Sequence, residues 1–200
     1  MRICHFVGGS EARNYARGSI AVIIASIELA AEARSDLRFI AWGEILARAP
    51  EVTRASATPF RLPASVRAVN PDGHFGLEYR SEGKPTYRFF TLELDRGTMP
   101  VERSRKSQTS LLGKFDAYAE IIERQTHKSH LGIPNLLVLT VCPSRSRLET
   151  ATSGLERCGK CPAFLFKAVE PELLTKPFPD MFWEPWQRAG LPPLAIGESR

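Results

Sequence analysis

The segment IPNLLVLTVC (133–142) is an almost unbroken apolar run. A strand with one wet face alternates apolar and polar residues, whereas a strand covered on both faces reads as continuous Leu, Val and Ile. The run therefore predicts a central strand with packing above and below it, and such a strand belongs to a layered α/β architecture. A chain of 200 residues, 43% of them apolar, can build one such domain with an ordinary core.

The flanking segments supply the layers. Residues 19–34 have helix-forming composition, LRFIAW (37–42) reads as a short strand, and 43–49 as a helical turn. Pro50, Pro59 and Pro63 mark 50–65 as an irregular connection. Residues 66–95 read as a β-meander, with a turn at Asn70-Pro71-Asp72-Gly73 and a hairpin turn at 81–85. In 107–125, Leu111, Phe115, Tyr118 and Ile122 recur at spacings of three and four and form one helical stripe. A helix over 144–157 and a strand over 163–169 follow, giving the order α-β-β-β-α-β-α-β and a mixed sheet. Residues 1–170 are expected to form the domain. The Pro- and Trp-rich tail, 171–200, is expected to pack on it irregularly, with Trp183 and Trp186 serving packing rather than base stacking.

The formal charge of +5 and pI near 9.2 suit a polyanionic partner without requiring one. Arg96, Arg103, Arg105 and Lys106 are the candidate phosphate contacts, against the reading of a plain solvated face. No signal-peptide core opens the chain, and the apolar run 19–31 is too short to span a bilayer and contains Glu28. The expectation is a soluble cytoplasmic protein with no membrane partner, in which disulfides do not form.

The chemistry concentrates in RFFTLELDRGT (88–98). Glu93 and Asp95 alternate along a strand and so share one face. Asp72, at the mouth of the neighbouring strand, brings a third carboxylate towards the same end of the sheet. Such oxygen donors suit Mg²⁺ or Mn²⁺, and Lys114, about 60° from Leu111 on the edge of the helical stripe, is the candidate amine to orient a nucleophile. The competing readings are a turn role for Asp72, solvated pairing of Glu93 and Asp95 with Arg88, Arg96 or Arg103, and a surface lysine at 114. His74 shares the face of Asp72. Glu28 and Glu32 form an exposed helix face or a further source of acid. Cys158 and Cys161 form a Cys-x-x-Cys half-site for Zn²⁺, with His127, His130 and Cys142 as poorly spaced partners; ordinary thiols are the simpler reading.

Taken in order, NPDGHFGLEY, RFFTLELDRGT and LLGKFDAY resemble the core motifs of the replication-relaxation family of plasmid and mobile-element proteins, itself similar to the PD-(D/E)xK nuclease fold. The resemblance implies a PD-(D/E)xK core, DNA as partner together with a replication or mobilisation protein, and a divalent-metal-dependent endonuclease. Asp72 and Glu93 match the two metal-binding acids. The motif's lysine falls at Asp95, so either Lys114 supplies the amine or the site binds DNA without cutting it. Family members often carry an amino-terminal winged-helix domain; this chain opens close to the nuclease-like part, so the core or a partner is expected to hold the DNA. A DNA-binding or adaptor module without catalysis and a zinc-stabilised interaction protein are the alternatives.

Overall fold

The computed structural model describes residues 9–80, 83–102, 110–158 and 162–198. Its elements are α1 (Gly9–Glu32), β1 (Leu37–Ile40), α2 (Trp42–Arg48), α3 (Glu51–Arg54), β2 (Gly73–Tyr79), β3 (Thr86–Leu94), α4 (Leu111–Glu123) and α5 (Thr126–Leu131). They continue with β4 (Leu137–Cys142), α6 (Arg145–Cys158), β5 (Phe164–Ala168), a 3₁₀ turn (Pro171–Leu173), α7 (Asp180–Trp183), β6 (Trp186–Arg188) and β7 (Leu191–Leu194). The fold is α/β: one seven-stranded mixed sheet in the order β1 to β7, flanked by helices. β3, β4 and β5 run parallel, and the outer pairs are antiparallel.

Strand β4 lies at the centre, as its apolar run predicts. Val138 and Cys142 enter the core beneath α4 and α6, while Leu139 and Val141 enter the core beneath α1 and α7. Phe115 of α4 packs edge-on to Phe166 of β5, with centroids 5.5 Å apart, and against Phe164 at 5.0 Å. Side-chain alternation along β3 sends Phe90 and Leu92 to the α1 side, and Thr91 and Glu93 to the α4 side. Asn135 fixes the start of the β3–β4 pairing: its Oδ1 accepts from Phe89 N at 2.9 Å and its Nδ2 donates to Tyr87 O at 2.8 Å. An amide side chain thus stands in for a strand backbone.

Three local expectations change. The segment 66–69 makes no strand of a meander; Val69 pairs only with Leu62, and β1 takes the place beside β2. Helix α1 begins ten residues before the predicted start at 19. The tail is not wholly irregular, because β6 and β7 extend the sheet. Lys167 anchors this addition by donating from a buried position to Asp180 O at 2.6 Å and Glu184 O at 2.8 Å, its ammonium 5.2 Å from the Trp186 ring. Burial pushes the Lys167 ammonium down to about 8.

Gly76 is required where β2 threads between β1 and β3. A Cβ there would meet the Phe89 ring at 2.9 Å and Ile40 Cβ at 3.2 Å. Gly76→Ala is expected to lower stability by about 1–3 kcal/mol through overpacking, read as a lower urea midpoint with an unchanged slope. No loss would mean that the Phe89 ring repacks freely.

Candidate functional site

Helix α4 starts at Ser110, whose hydroxyl accepts from Gly113 N at 3.1 Å. That cap sets the phase of the helix: Leu111, Leu112, Phe115, Tyr118 and Ile121 are buried and Lys114 lies at the margin. Ile121, rather than Ile122, completes the buried stripe, since Ile122 is only partly buried. Lys114 and Tyr118, one turn apart, both reach Glu93. The Lys114 ammonium donates to Oε2 and the Tyr118 hydroxyl donates to Oε1. Thr91 Oγ1 lies 3.5 Å from the same hydroxyl.

Glu93 is 3% exposed, and this burial determines its chemistry. Burial pushes its carboxyl up to about 7; the Lys114 charge pulls it down and the Asp72 charge pushes it up further. The Tyr118 phenol is raised well above its usual range by its own burial and by the Glu93 charge. Thr140, paired with Glu93 in the β3–β4 register, holds a buried hydroxyl that has no partner among the described residues.

Asp72 is exposed and latched to the end of β3. Its N–H donates to Leu92 O at 3.0 Å and its Oδ2 accepts from Leu94 N at 2.8 Å. The structural role read for Asp72 is therefore present, but as a strand-end latch rather than as a turn. Asp72, Glu93 and Lys114 come together. Asp95 lies on the same side of the sheet and is engaged elsewhere: Arg147 of α6 donates Nε to its Oδ2 at 2.6 Å and Nη2 to its Oδ1 at 3.2 Å, and Gly97 N donates to Oδ1 at 2.9 Å. Neither Arg88 nor Arg96 takes the partner's role. Among the described residues no group of three or more His, Cys, Asp or Glu side chains is arranged to hold a metal, so the three carboxylates do not form one cluster.

The remaining candidates are dispersed. Arg96 is exposed beyond β3, while Arg103, Arg105, Lys106, Cys161 and the side chain of Cys158 lie outside the described residues. Cys142 is buried, its thiol pushed up to about 12 by burial and by the Asp95 charge. His130 contacts Pro59 O at 3.2 Å, and His127 is buried. Helix α1 packs on the opposite face of the sheet, so Glu28 and Glu32 stand apart from Glu93. His74 does share the face of Asp72, buried against Trp42 with ring centroids 4.9 Å apart, and burial lowers its imidazole to about 4. No helix among the described residues is long and apolar enough to cross a membrane.

Two site residues were not singled out in the sequence as site residues. Tyr118 stands in the apolar stripe and closes the LLGKFDAY motif one turn after Lys114, but neither pattern gives its hydroxyl a role. Arg147 lies 52 positions beyond Asp95 and carries no local signal of the pairing. Comparison with protein-family models, with curated proteins and with solved structures finds no match to this chain in any of the three.

Proposed function

We propose that the chain is a DNA-binding protein of replication or mobilisation type with a PD-(D/E)xK-like core, and that it hydrolyses phosphodiester bonds with a divalent metal. The observation that carries this reading is the Lys114 ammonium on the Glu93 carboxylate, with Asp72 near enough for its charge to shift Glu93. An acid at a strand mouth, an acid on the neighbouring strand and an amine thus share one place, although Asp95 occupies the motif's lysine position. The amine comes from α4 instead.

The donors fit Mg²⁺ or Mn²⁺, which take one or two carboxylates and fill their remaining positions with water and phosphate oxygens. Asp72 and Glu93 would hold the ion, which when bound supplies charge for the phosphate and acidifies a water. Asp95 is not in this set, because Arg147 takes both its oxygens. Lys114, partly exposed, is free to leave Glu93 for a water or a phosphate oxygen, while Tyr118 keeps Glu93 oriented. A second reading, binding without cleavage, draws on the engagement of both Glu93 oxygens by protein donors.

The test is cleavage of supercoiled, linear and single-stranded DNA with Mg²⁺ or Mn²⁺ and with EDTA. Metal-dependent cleavage that is lost in Asp72→Asn and Lys114→Met is expected. Identical background from wild type and both variants, with DNA affinity insensitive to EDTA, would favour the second reading.

A further inference from the structure

The connection between α3 and β2 leads directly into Asp72. From residue 55 to residue 71 it contains Arg61 and Arg67 and no Asp or Glu, and Arg54 closes α3 just before it. Arg54 is spent on structure, donating to Ala47 O at 3.3 Å and Ala49 O at 3.1 Å. Arg61 and Arg67 are exposed and pair with no group among the described residues. The segment is held by reciprocal Leu62–Val69 bonds of 2.9 Å and by Ser65 N donating to Glu120 Oε1 of α4 at 2.9 Å. It is a fixed basic ridge beside the candidate site.

Phe60 crowns this ridge. It is 44% exposed, and its ring stacks on Trp42 with centroids 4.4 Å apart at 29°. Trp42 stacks in turn on His74 at 4.9 Å and 29°. Three flat side chains thus form a column from β2 outwards, ending in a ring that protein only partly covers. The other exposed aromatic among the described residues differs: Trp183 lies under the Arg34 guanidinium at 5.6 Å and beside Phe182, on the α1 side of the sheet. A half-open ring in a segment that also carries two exposed arginines matches the way single-stranded nucleic acids are held, with bases on aromatic faces and phosphates on basic side chains.

We infer that Phe60 is a stacking platform for an unpaired base of single-stranded DNA, with Arg61 and Arg67 on the adjoining phosphates. The inference rests on the proposed function and narrows its substrate: the DNA reaches Asp72 as an unpaired strand. A duplex keeps its bases stacked on one another and offers Phe60 no free base face.

Affinity for a short single strand and for a duplex of the same sequence, measured in EDTA by fluorescence anisotropy, tests it. Phe60→Leu retains apolar contact with Trp42, and Phe60→Tyr retains the ring. Phe60→Leu is expected to weaken single-strand binding about 5- to 100-fold and to leave duplex binding unchanged, with Phe60→Tyr close to wild type. Arg61→Ala and Arg67→Ala should each reduce the slope of log affinity against log salt by about 0.7. Equal single-strand binding by wild type and Phe60→Leu, equal loss of both DNA forms, or no single-strand binding by wild type would overturn the inference. Those results leave the cleavage reading to be judged separately by Asp72→Asn and Lys114→Met.

Discussion

Glu93→Gln is expected to abolish metal-dependent cleavage and, at pH 8, to raise the stability of the fold. The two effects share one cause. The Glu93 carboxyl sits at about 7 in the folded chain, against 4.5 when unfolded, because burial outweighs the pull of Lys114. Between those values the folded state holds a proton that the unfolded state has released. The contribution of Glu93 to stability is therefore fully present below pH 4.5 and is lost as pH rises through about 7. A gap of that size corresponds to about 3 kcal/mol.

Gln stays neutral at every pH and still accepts from Tyr118, while the Lys114 head can turn into water. A gain of about 1–2 kcal/mol at pH 8 that vanishes near pH 5 is the expected result in urea denaturation at the two pH values. Loss of the charge that would hold the metal should slow cleavage by at least about 10²-fold. A carboxylate that costs stability at neutral pH is hard to explain as a structural group. If Glu93→Gln were destabilised equally at both pH values, Glu93 would instead be an anchor for α4, and the case for a functional site would lose its main support.

The sequence makes this site partly legible, and the reasons are geometric. Strand alternation alone places Glu93 and Asp95 on one side of the sheet, and the helical angle alone puts Lys114 at the margin of α4. Local periodicity cannot say which partner each acid finds. Asp95 meets Arg147 only after β4 has been laid parallel to β3 and α6 has crossed back over the sheet. Tyr118 looks apolar in a periodic pattern because its ring is core, while its equally buried hydroxyl is spent on Glu93. The fold shows the same division. The fully covered β4 is evident from composition, whereas β6 and β7, with three and four residues, are too short for a periodic signal. Pro192 and Pro193 inside β7 also argue against a strand, and the chain tolerates them because β7 is an edge. The expected strand at 66–69 had suitable composition but lacked a partner in the sheet.

Arg147→Met is expected to be among the most destabilising single substitutions in the chain, at about 3–5 kcal/mol, because it leaves a buried charge unpaired. The Asp95 side chain is 3% exposed and that of Arg147 only 18%, so solvent cannot replace the guanidinium without opening the structure. The same group also donates to Met99 O, tying the chain beyond β3 to α6. Asp95 N meanwhile donates to Val141 O at 2.9 Å, so an unpaired carboxylate strains the ladder beside the mouth of the site. Asp95→Asn combined with Arg147→Met removes both charges and should restore at least half of the loss, since an amide can still accept from Gly97 N. Denaturant midpoints of the two single variants and the double variant measure this coupling directly. Additive losses would mean that Arg147 acts through packing alone; strong recovery would establish Asp95 as a structural acid, leaving Asp72 and Glu93 as the carboxylates available for chemistry.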